Sequence, residues 1–123
     1  MSIPQQGGGP IERREQLAEY LADGCKPKAD WRIGTEHEKF GYCLETRKPL
    51  PYDGPRSVKA MLEGLRDQFN WDPILEGEHI IGLTKDGANV SLEPGGQLEL
   101  SGAPLETIHQ TCDEVNDHLC EVK

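Results

Sequence analysis

No apolar run in this chain approaches the ~20 residues that a membrane-spanning helix needs. The apolar share is only 35%, low for a self-sufficient globule. Positive charge is also short: 13 Lys and Arg stand against 22 Asp and Glu, for a net charge of -9. That balance argues against nucleic-acid partners and anionic membrane surfaces. The acids do not form one run, so an acidic tail is not indicated. The four cysteines, Cys25, Cys43, Cys112 and Cys120, show no CxxC and no zinc-ligand spacing. They read as reduced thiols, which favours a cytoplasmic setting. The N-terminal segment has no basic-then-apolar signal pattern and no arginine before Arg13, so neither a secretory signal nor a transit peptide is expected. No Walker-type loop is present, and residue order alone supports no Ser-His-Asp arrangement.

At 123 residues a single domain with a modest core is expected. Residues 1–10, with Gly7-Gly8-Gly9, read as a flexible leader. Leu17 and Leu21 predict a helix over 11–23, stopped at Gly24. A strand is expected over 31–44. Ser57 is a natural N-cap for a helix running to Phe69, with Val58, Met61, Leu62, Leu65 and Phe69 as its apolar stripe. A strand over Glu78–Thr84 is followed by Asp86-Gly87, a hairpin signal, and by a returning strand over Asn89–Glu93. Pro94-Gly95-Gly96 interrupts, and Gln97–Ser101 resumes. There the alternation is clean. Val90, Leu92, Leu98 and Leu100 form the apolar set; Asn89, Ser91, Glu93, Gln97, Glu99 and Ser101 form the polar set. Pro104 opens a last helix with the seam Leu105, Ile108, Cys112, Val115, Leu119 and Val122. On that seam Cys112 reads as a buried thiol, and His118 and Cys120 read as surface residues. The whole is an α+β chain: an antiparallel β-sheet with helices on one face and acids on the other.

The acids are the main candidates for chemistry. In a strand Glu36 and Glu38 point the same way, and Phe40, Tyr42 and Leu44 continue that parity. Glu93 and Glu99 join them if the strands share a sheet. Neighbouring carboxylates repel, and burying one costs several kcal/mol unless a cation offsets it. Hard oxygen ligands suit Mg²⁺ or Mn²⁺. A solvated sheet face is the plain alternative. Aromatics on the acidic parity and the flanking Gly34, Gly95 and Gly96 favour a site. His37 has the opposite parity and reads as a packing or surface residue. Arg56 could meet an anion, or simply carry surface charge.

Gly34-Thr35-Glu36-His37-Glu38-Lys39-Phe40-Gly41 and the longer string from Ser91 to Glu106, continued by Thr107-Ile108-His109-Gln110-Thr111-Cys112, carry a family resemblance. They resemble glutamate–cysteine ligase of the plant and proteobacterial type. The resemblance runs from about residue 11 to the end and covers only the N-terminal portion of that family's catalytic domain. It implies a truncated product, 11–123, with a glutamine-synthetase-like half-domain. It also implies ATP-dependent joining of the L-glutamate γ-carboxyl to the L-cysteine amine through γ-glutamyl phosphate, the first step of glutathione synthesis. On this reading Glu36, Glu38, Glu93 and Glu99 hold Mg²⁺ or Mn²⁺, while Gly95, Gly96 and Gln97 neighbour the substrate glutamate. Cys112 becomes a candidate for redox control. No catalytic side chain is assigned, and the chain alone is expected to be inactive. A non-catalytic metal- or partner-binding domain remains an alternative. An uncovered sheet edge would favour self-association.

Overall fold

The computed structural model describes residues 8–123. Residues 1–7 of the expected leader lie outside the described part. The elements, in order, are α1 (Glu15–Asp23), β1 (Glu36–Phe40), α2 (Val58–Phe69), β2 (Asp72–Glu76), β3 (His79–Lys85), β4 (Ala88–Glu93), β5 (Gln97–Ser101) and α3 (Ile108–Glu121). The strands form one five-stranded sheet in the order β1-β5-β4-β3-β2. Every pairing is antiparallel.

Local chemistry accounts for the turns. Asp86 (φ 50°) and Gly87 (φ 87°) both take positive φ, as a two-residue turn matching the strand twist requires. Gly95 (φ 80°) and Gly96 (φ 82°) do the same in the Pro94–Gly96 turn that joins β4 to β5. α2 starts where expected. The Ser57 side chain accepts the Ala60 backbone N–H, and the helix stops at Asn70 in the left-handed conformation. This helix carries the chain from β1 at one sheet edge to β2 at the other. It buries Val58, Leu62 and Leu65 against Leu83, Val90, Leu98 and Leu100 of the sheet, with Val115 of α3 and Val122 just beyond it packed on the same cluster. Trp71 closes one side: its indole N–H donates to Glu121 at 3.0 Å, and the Lys85 ammonium sits 5.6 Å above its ring.

Several expectations are corrected. α1 begins at Glu15 and buries nothing; Leu17 and Leu21 are exposed. β1 is shorter than 31–44, because its ladder partners are only the five residues of β5. Beyond them Ile33 and Tyr42 form single bridges, to Leu105 and Pro49. β2 was not expected, and Pro73 sits in it without penalty because it is an edge strand. α3 begins at Ile108, fixed by a Thr107/Gln110 capping box. Its buried residues are Thr111 and His118, while Ile108 and Cys112 are exposed. The inner face therefore takes in Thr111 and His118 beside the seam residues Val115 and Val122 and leaves Ile108 and Cys112 outside. His118 is held in the interior within the field of His37 and Lys39 of β1.

Candidate functional site

Cross-strand partners project side chains to the same face of a sheet. On β4, β5 and β1 the registers therefore build a polar floor of three rows. The first row is Asn89, Ser101 and Glu36; the second is Ser91, Glu99 and Glu38; the third is Glu93, Gln97 and Phe40. β3 extends the first two rows with Thr84 and Gly82. Gly82 is buried, and a Cβ there would sit 2.9 Å from the Val90 carbonyl oxygen. Only glycine keeps β3 and β4 in this register without a shift.

All four predicted acids lie on this floor. Glu36 and Glu38 are exposed, Glu93 is half-buried, and Glu99 is buried at 4% exposure. Glu38 and Glu99 are direct cross-strand partners, whose Cβ atoms stand about 5 Å apart in such pairs. The Ser101 hydroxyl donates to Glu99 at 2.7 Å, and the Ser91 hydroxyl donates to Glu93 at 3.1 Å. Glu36 and Glu93 occupy opposite corners, two strands and four residues apart, or roughly 16 Å by strand geometry. One ion cannot bridge them when its ligands lie ~2.0–2.6 Å away. Among the described residues no three His, Cys, Asp or Glu converge on a single metal position. The donor set nonetheless fits Mg²⁺, which binds through one or two carboxylates and completes its shell with water and phosphate oxygens.

Gly95 and Gly96 lie at the third-row end, in the turn beside Gln97. A Cβ on Gly95 would touch nothing within 4 Å, so the turn presents open backbone. Gln97 is half-buried between Glu93 and Phe40. Cys112 is not part of this assembly. It is exposed on α3, and all four cysteines are free thiols. His37 is half-buried on the helix side, as its parity predicts, with Nδ1 buried and unpartnered. Arg56 is exposed and lies 3.8 Å from Glu45.

Parity already placed Ser91 and Ser101 on the acidic face, but not their pairing with the glutamates. Its only trace in the sequence is the two-residue spacing of Ser91/Glu93 and Glu99/Ser101. A cavity of about 440 Å³ lies on the opposite, helical side, lined by Trp71, Lys85, Leu100, Glu114 and His118 among others.

Comparison with known proteins gives the floor a context. The chain is 56% identical over 110 residues to glutamate–cysteine ligase A, chloroplastic, of Oryza sativa subsp. japonica. It is 54% identical to glutamate–cysteine ligase, chloroplastic, of Medicago truncatula, and 56% identical to that of Arabidopsis thaliana. Each match covers 89% of this chain but only 20–22% of the relative, so the chain spans about one fifth of their length. All three relatives are named chloroplastic, which points to a plastid and overturns the cytoplasmic expectation. Free thiols and an acidic composition do not distinguish two reducing compartments. Residues 32–123 match Glutamate-cysteine ligase family 2 (GCS2), and the chain, acidic floor included, belongs to that family.

Proposed function

We propose that this chain supplies the carboxylate floor of an ATP-dependent glutamate–cysteine ligase, the enzyme that begins glutathione synthesis. The observation that carries the reading is the Glu38/Glu99 cross-strand pair, flanked by Glu36 and Glu93. The three rows hold four acids and no lysine or arginine. Such a surface repels the phosphates of ATP and the carboxylates of glutamate unless divalent cations lie between. Mg²⁺ or Mn²⁺, when bound, would cancel that charge and draw the reacting oxygens into line.

The residues then divide the work. Glu36 and Glu38 hold charge on β1, Glu99 on β5 and Glu93 on β4. Gln97 offers an amide donor and acceptor to substrate L-glutamate. The Gly95-Gly96 backbone permits close approach of that substrate. In the reaction the glutamate γ-carboxylate takes the terminal phosphoryl group of ATP, giving γ-glutamyl phosphate and ADP. The L-cysteine amine then attacks the acyl carbon, phosphate leaves, and the amine loses a proton. The floor contributes position and electrostatics rather than a nucleophile or a base. Cationic side chains that would stabilise the transferring phosphoryl are absent from these rows. The chain alone is therefore expected to bind without ligating. Cys112, exposed on α3, remains open to oxidation and is the proposed redox-responsive thiol.

Calorimetric titration with Mg²⁺, with and without glutamate and ATP, tests the reading. The expected result is binding that glutamate and ATP strengthen, and at least tenfold weaker binding in the Glu36→Gln/Glu38→Gln double variant. Equal binding by parent and double variant would remove the metal floor. Binding indifferent to glutamate would remove the proposed glutamate site at Gly95, Gly96 and Gln97.

A further inference from the structure

Two floor carboxylates each receive a serine hydroxyl from two residues away on their own strand. Ser101 Oγ donates to Glu99 Oε1 at 2.7 Å, with both residues buried. Ser91 Oγ donates to Glu93 Oε1 at 3.1 Å. Residues i and i+2 of a strand are about 6.6 Å apart, so a short serine is reached only by a glutamate leaning along the strand. Glu99 leans toward the C-terminal end of β5. Glu93 leans toward the N-terminal end of β4. Because the two strands are antiparallel, both carboxylates lean the same way in space, toward the row that holds Glu36. The Glu99 carboxylate is thereby carried from the second row toward the first, alongside both acids of β1. The Glu93 carboxylate is carried from the third row toward the second.

We propose that Ser91 and Ser101 are positioning residues of the metal-binding floor, aiming Glu93 and Glu99 toward the Glu36 end so that acids rooted in different rows serve neighbouring ions. The inference rests on the reading of the floor as a metal site. Ser101 has the larger effect, because its bond is short, charge-assisted and buried. A hydroxyl fixing one carboxylate oxygen also removes the rotamer freedom that metal binding would otherwise have to quench. Partners of metal ligands typically change affinity by about 10–100-fold when removed.

The test is Mn²⁺ titration of the 123-residue chain, with free Mn²⁺ read by electron paramagnetic resonance. Ser101→Ala is expected to weaken Mn²⁺ binding about 10–100-fold, Ser91→Ala less. Ser101→Thr, which keeps the hydroxyl, should restore most of the affinity. Glu99→Gln separates the two levels of the argument. If the parent chain binds no Mn²⁺, or Glu99→Gln binds like the parent, the floor reading fails and this inference with it. If Glu99→Gln is weakened while Ser101→Ala and Ser91→Ala bind like the parent, only the serine inference is overturned. Equal weakening by Ser101→Thr and Ser101→Ala would assign the loss to packing and also overturn it. Should Ser101→Ala fail to fold, Ser91→Ala and Ser91→Thr carry the same comparison on β4.

Discussion

His118 is 2% exposed, and neither ring nitrogen has a partner. Burial, followed by the fields of Lys39 and His37, lowers its pKa from 6.5 to about 4. Glu114, Asp117 and Glu121 line the same cavity, but burial is the largest influence on His118. The sign of the linkage is direct. As pH falls below 6.5 the unfolded chain takes up a proton at this residue, and the folded chain does not until about pH 4. Stability therefore falls across that window and is level above it, by about 3 kcal/mol in full. His118→Leu should flatten the acid limb. Urea unfolding midpoints for parent and variant between pH 7 and 4.5 check this, and parallel losses in the two proteins would sink it.

Helix starts set the next scale. Ser57 is 4% exposed, accepts the Ala60 N–H at 3.1 Å and donates to the Gly54 carbonyl at 2.7 Å. Thr107 caps α3 in an exposed box with Gln110. Ser57→Ala should cost about 2 kcal/mol and Thr107→Ala about 1 kcal/mol, because the bonds of Ser57 are part-buried and number two, whereas the Thr107 cap is exposed. Chemical denaturation of both variants decides; a larger loss at Thr107 would contradict the burial argument. The same contrast explains what the sequence made legible. Ser57, Asp86-Gly87 and the alternation from Asn89 to Ser101 are local signals, and each appears where expected. So does the acidic face, since parity needs only a strand. β2 was hidden because Pro73 reads as a breaker until its edge position is known. The seam of α3 packs as expected at Val115 and Val122, but Ile108, Cys112 and His118 were misread, because apolar spacing marks the first two whereas the sheet beneath His118 offers His37 and Lys39. The leaning of Glu93 and Glu99 depends on side-chain direction, which residue pattern does not encode.

At the scale of the whole molecule, an open edge and a net charge of -9 oppose one another. β1 is an edge strand, and Phe40 (63% exposed) and Tyr42 (58%) lie on or just beyond it. An edge with exposed apolar side chains invites pairing with a second copy. Like charge on both copies resists it, most strongly near Glu36 and Glu38 on that same strand. Raising salt from about 0.01 M to about 0.15 M shortens the screening length from ~30 Å to ~8 Å and should shift the chain toward dimer. Phe40→Lys with Tyr42→Lys should abolish that shift. The floor adds a condition of its own: if Glu36 and Glu38 bind Mg²⁺, the ion neutralises the edge locally rather than merely screening it. Mg²⁺ should then promote association more than NaCl at matched ionic strength, and Glu36→Gln/Glu38→Gln should erase the difference while associating more readily than the parent in low salt. Sedimentation velocity across these conditions reads both effects. Identical profiles for Mg²⁺ and NaCl would leave edge and floor uncoupled; a Mg²⁺-specific shift lost in the double variant would join them through the same two carboxylates.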